Sequence, residues 1–162
     1  MDTYDYPPEV AKNAPHHPET FYMDDLMDEL YKYVTEELQK RGKTNVDVEL
    51  CKLTTVEKCL VHTDRALLRQ IFVYILDNAI HSTDIGCIFF GYHISVLTVV
   101  NNISFFVDDT GNGMNNDAEL NFFKAHELIQ QLGGKMEVRP SNDAGISVNF
   151  KIACQPCGFF EN

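Results

Sequence analysis

Between Asp64 and Thr83, apolar residues recur at Leu67, Leu68, Ile71, Phe72, Ile75, Leu76 and Ala79. That spacing predicts a helix with a broad buried face, and Asp64 is placed to cap its N-terminus. Asp77 and Asn78 interrupt the apolar pattern. Both are mediocre helix formers, so each either faces solvent or serves as a polar group held at a pocket.

The remaining elements fix the order. A helix is predicted from Asp24 to Arg41, with Met23, Leu26, Met27, Leu30, Tyr33, Val34 and Leu38 on one stripe and Gly42 to end it. Strands are expected at Val46–Leu50, around Lys58–Val61 and within Ile85–Val100, with Gly86 and Gly91 as candidate bulges. Ile103–Val107 reads as a buried strand running into Asp108-Asp109-Thr110-Gly111-Asn112-Gly113-Met114. A third helix follows over about Asp117–Leu132, then strands at Lys135–Arg139 and Gly145–Ile152. Helices and strands do not alternate as βαβ units. The expectation is therefore α+β: a two-layer sandwich with three main helices on one face of a mixed sheet. Residues 1–20 hold four of the six prolines and read as an extended or disordered lead-in. Residues 21–153 read as one domain and 154–162 as a tail.

Charge and cysteines narrow the function classes. The 162 residues carry a formal net charge of -11, which argues against nucleic acid or an anionic membrane as a general partner. No apolar run reaches the length of a membrane span, so membrane contact by this segment is not expected and a cytoplasmic location is. Cys51, Cys59, Cys87, Cys154 and Cys157 are scattered and read as reduced thiols. Cys154-Gln155-Pro156-Cys157 has a metal or redox spacing, but it follows a strand rather than capping a helix.

Asp64–Thr83, with Asp77-Asn78-Ala79-Ile80-His81, resembles the N box of sensor histidine kinases and of the ATPase superfamily shared with DNA gyrase and MutL. Asp109-Thr110-Gly111-Asn112-Gly113 resembles the G1 box. Leu132-Gly133-Gly134 and Gly145–Phe150 look like the closing turn and strands. The resemblance implies an ATP-binding, catalytic-type domain. Asp109 would accept from the adenine amino group, which a carboxylate does because it is acceptor-only when ionised. Gly111 and Gly113 would let the ring lie near the backbone. Ser147 would assist at adenine, His81 would lie near the phosphates, and Asn78 would hold Mg²⁺, a hard cation that takes oxygen ligands. ATP or ADP, a dimerisation and phosphoacceptor domain, and a response regulator are the implied partners.

The chain also departs from that pattern. Tyr74 stands where these kinases carry a second Asn. The glycine-rich G2 box falls on Glu119-Leu120-Asn121-Phe122, and the lid shrinks to Asn115-Asn116-Asp117-Ala118. Glycines there would open a helix N-terminus to phosphate, and a Glu adds like charge instead. Impaired nucleotide binding follows, with no acceptor histidine in the domain. His126-Glu127-Leu128 only superficially resembles the acceptor motif. The alternative is a protein-binding module, with one of Phe122 and Phe123 exposed as an anchor.

Overall fold

The computed structural model describes residues 4–5, 17–52, 57–93, 102–141, 144–154 and 156–161; side chains are described throughout except at 4–5, 57–58 and 156–161. In chain order the elements are β1 (Tyr4–Asp5), β2 (Glu19–Tyr22), α1 (Met23–Lys40), β3 (Asn45–Cys51), β4 (Glu57–Thr63), α2 (Arg65–Ser82), β5 (Ile85–His93), β6 (Asn102–Asp109), α3 (Asn116–Gln131), β7 (Lys135–Pro140), β8 (Ile146–Ala153) and β9 (Pro156–Glu161). A six-stranded sheet runs β1-β7-β8-β6-β5-β3, and a smaller one runs β2-β4-β9. β3 pairs with β5 in parallel, and every other ladder is antiparallel. The sheet is mixed, as expected, with one helical layer.

The alternation of each strand sets the two faces. Ile88, Phe90 and Tyr92 on β5, Ile103, Phe105 and Val107 on β6, and Ile146, Val148, Phe150 and Ile152 on β8 are buried in one core with the helices. Phe72 of α2 pins the layers together. Its ring meets Phe105 and Phe150 edge-on, with centroids 5.4 and 5.2 Å apart. Asp64 caps α2 as its sequence position implies, accepting from the Leu67 amide at 3.0 Å. On α1, Glu29 receives Arg65 and Arg69 of α2 at 2.6 and 3.1 Å. Burial pulls the Glu29 carboxyl upward, but these two guanidiniums together outweigh it and hold the group below its ordinary value.

Three details add to or differ from the sequence expectation. Tyr4–Asp5, within the lead-in, adds a two-residue strand to β7, which no periodicity could register. Pro156–Glu161, within the tail, pairs with β4 as β9. Proline is tolerated as the first residue of a strand, so Pro156 does not break it. The β5 ladders also pass Gly86 and Gly91 in unshifted register, without a bulge. Gly91 is small because a Cβ there would come 2.1 Å from the Cys51 carbonyl oxygen of β3.

Candidate functional site

Asp109 ends β6 on the helical face and is 6% exposed. Its Oδ1 accepts from the Gly111 amide at 2.9 Å and from the Ile146 amide at 3.4 Å. Burial pushes its carboxyl above the ordinary range, the two amides pull it back, and neighbouring Asp108 pushes it up again. The strand opposite must come close for this. A Cβ on Gly145 would lie 1.8 Å from the Asp109 carbonyl oxygen and 2.8 Å from its Oδ1.

The loop after Asp109 docks on the end of α2. The Asn112 amide donates to the Ser82 carbonyl at 3.1 Å. A Cβ on Gly111 would sit 2.5 Å from that same oxygen. Thr110 is tied to β5, accepting from the Cys87 amide at 3.0 Å and donating its own amide to the Cys87 carbonyl at 3.2 Å. Gly113 takes φ +84, which a glycine adopts without penalty. Thr83 lies beside Gly86 under this loop, and its buried Oγ1 has no hydrogen-bond partner among the described residues.

Asn78 sits one helical turn before Ser82 and is buried. Its Nδ2 donates to the Ala118 carbonyl at 3.2 Å, and its Oδ1 accepts from Asn121 Nδ2 at 3.0 Å. Both ends of the amide are thus taken by α3. At the start of that helix, Asn115 accepts from the Ala118 amide at 2.8 Å, and Asp117 and Glu119 stand in the first turn. Tyr74 is half-buried, with Lys124 Nζ 5.6 Å from its ring centroid. His81 is exposed. The nearby cation, Lys43, closes the end of α2 by donating to the Ile80 and His81 carbonyls at 2.6 and 2.9 Å, and it pairs with Asp84 at 3.0 Å.

Asp109, Gly111 and Asn78 therefore gather around the end of α2, and Ser147 does not. Ser147 pairs with Asp108 and Arg139 in the ladders and shares the outward face with Asn149, whose Nδ2 is 3.4 Å from its Oγ. With Phe89, Asp108 and Arg139 it borders a groove of about 470 Å³ that also reaches Asp109. The residue beside Asp109 on β8 is Ile146. Sequence reading gave Gly145 only as the start of the closing strand and missed its close approach to Asp109. It also missed the part played by Asn121, which carried no local signal. Of the phenylalanine pair, Phe122 is buried and Phe123 is 40% exposed, beside Leu120 at 52%. His126 is buried on α3. Cys154 is buried with its Sγ 3.6 Å from the His62 carbonyl, while the Cys157 side chain lies outside the described residues. Among the described residues, no helix is long and apolar enough to cross a membrane.

Solved structures share this architecture. The histidine kinase AdeS of Acinetobacter baumannii is similar with a TM-score of 0.68 at 19% identity, over 86% of this chain and 68% of that one. The catalytic domain of histidine kinase ThkA, in a nucleotide-free form, gives 0.68 at 20% identity, over 86% of this chain and 99% of that one. ThkA has also been solved in complex with the response regulator protein TrrA. Full-length ShkA in complex with AMPPNP gives 0.71 at 18% identity, and there 92% of this chain spans 33% of that one. No family model and no curated protein matches the chain. The fold is that of a histidine kinase catalytic domain.

Proposed function

We propose that residues 21–153 are the adenine-nucleotide-binding, kinase-type domain of a cytoplasmic sensor histidine kinase, with its triphosphate half impaired. The observation that carries this reading is Asp109. A buried carboxylate held by two backbone amides through Oδ1 leaves its other oxygen to accept from an adenine amino group. A carboxylate beneath a glycine loop, with the spare Thr83 hydroxyl nearby, suits a planar purine.

The phosphate half does not match that quality. Mg²⁺ takes oxygen ligands in near-octahedral geometry, and the donor set does not fit it as it stands. The Asn78 oxygen is engaged by Asn121, and Tyr74 offers a phenol in place of an amide. The first-turn acids Asp117 and Glu119 oppose a polyphosphate, and one α3 amide is already capped. Adenine recognition survives in this reading, while phosphoryl transfer, which depends on positioned charge around the phosphates, is weak. Its protein partners would be a phosphoacceptor domain or a response regulator, as ThkA has in TrrA.

A second reading is favoured by the exposure of Phe123 and Leu120 beside the shortened lid. Under it the domain is a regulatory module that docks a partner on α3.

Calorimetric titration of ADP and of ATP, each with and without Mg²⁺, tests the first reading against Asp109→Asn. The expected result is weak binding of both nucleotides, little gain from Mg²⁺, and loss in the variant. No heat from the folded domain would move the search to the α3 surface.

A further inference from the structure

The face of the large sheet turned away from the helices carries a cross-strand row of polar side chains that includes two lysines. His93 on β5 pairs with Ser104 on β6, Ser104 with Lys151 on β8, and Lys151 with Lys135 on β7. Adjacent strands lie about 4.8 Å apart, so four side chains stand abreast on one face. All four are exposed. With Glu137 and Asn149 they border a concavity of about 370 Å³.

Among the described residues, no ion pair compensates the two lysines. Like charges directly opposite one another on paired strands are destabilising, and Lys135 faces Lys151 in register. Neither lysine forms an ion pair among the described residues, although the chain carries 24 acids against 13 lysines and arginines. The one carboxylate among the described residues bordering the concavity, Glu137, is already held by Arg139 Nε at 2.7 Å. The His93 ring stacks on Phe106 with centroids 5.0 Å apart, which keeps the imidazole on the row.

We propose that this row binds a phosphate monoester, at a site on the opposite face of the sheet from the Asp109 carboxylate and independent of it. The two ammonium groups neutralise the dianion, and the Ser104 hydroxyl, the Asn149 amide and the His93 ring supply donors to its oxygens. An anion between the lysines removes their repulsion, so ligand binding and stability are coupled.

The test is thermal unfolding of the full chain in potassium phosphate against potassium chloride at matched ionic strength, with amide NMR shifts as the site readout. Phosphate should raise Tm saturably and move the amides of residues 93, 104, 135 and 151. Lys135→Ala and Lys151→Ala should each raise Tm in chloride, by relieving the pair. Each should also weaken the phosphate response about tenfold, as the loss of roughly 1.4 kcal/mol implies. Asp109→Asn should leave the response intact, which separates this site from the nucleotide reading. A phosphoserine peptide binding tighter than inorganic phosphate would identify a phosphorylated segment as the source, and equal binding a small molecule. An equal rise in phosphate and chloride overturns the proposal. So does a non-saturating phosphate effect that survives in both lysine variants, since that is general salt exclusion.

Discussion

Asn121 Nδ2 donates to Asn78 Oδ1 at 3.0 Å, joining α3 to α2 at the one amide oxygen that the kinase resemblance reserves for Mg²⁺. The same Asn78 donates to the Ala118 carbonyl, so the first turns of α3 are latched onto α2 from both ends of one side chain. If the latch excludes the metal, Asn121→Ala should make ADP binding Mg²⁺-dependent and severalfold tighter. Alanine also suits a helix interior better than asparagine, which limits the stability cost. Titrations with and without Mg²⁺ check this, and identical affinities for variant and parent would show that the latch is not the obstacle.

The environment of Asp109 makes a pH prediction. Its folded-state carboxyl is raised above the ordinary 3.8, with burial as the first cause. A raised acid contributes stability that is fully present below the unfolded value and is lost as pH rises through the folded one. Asp109→Asn keeps the Oδ1 acceptor and removes the charge. Its stability relative to the parent should therefore climb as pH rises from about 3.8. Denaturant melts at pH 3 to 7 measure the difference, and a gap that stays constant with pH would refute the assignment.

The α2 cap and the core faces were legible because their signals are local. Asp64 stands before the first apolar turn, and the strand alternation at Ile146, Val148 and Phe150 fixes which side is inward. That same alternation turns Ser147 outward, onto the groove that also reaches Asp109. The buried member of the phenylalanine pair was likewise readable, since Ala118, Phe122, Ala125 and Ile129 share one helical stripe. The Asn78–Asn121 contact was not readable, because it joins residues 43 apart through helix packing alone. β9 lies in the stretch read as a tail; it opens on Pro156, and proline is tolerated as the first residue of a strand.

Tyr92 carries a further test of the core. Its hydroxyl donates to Asp24 Oδ1 at 2.6 Å, and both residues are buried. Burial first, and the Asp24 contact second, push the phenol well above its ordinary range, so it stays protonated and donating. Tyr92→Phe leaves the carboxylate of Asp24 without this donor. A hydrogen bond to a charged group contributes about 1.5–3 kcal/mol, and a loss of that order is expected in urea melts. A change near zero would mean that water replaces the hydroxyl.

Two glycines near the site should respond differently to alanine. Gly113 has a positive φ, and the nearest atom to an added Cβ is the Ala144 carbonyl oxygen at 3.3 Å. Its cost is mainly conformational, about 1–2 kcal/mol. Gly145 has no room at all, because a Cβ would overlap the Asp109 carbonyl at 1.8 Å. Relief there must move backbone, pulling β8 from β6 at the point where the Ile146 amide reaches Asp109. Gly145→Ala should therefore be the more destabilising, at or above the usual overpacking penalty of about 1–3 kcal/mol because backbone rather than a side chain must move, and should abolish nucleotide binding where Gly113→Ala only weakens it. Paired urea melts and ADP titrations give the order directly. The reverse order would mean that the loop conformation at Gly113, rather than strand contact at Gly145, holds the carboxylate in place.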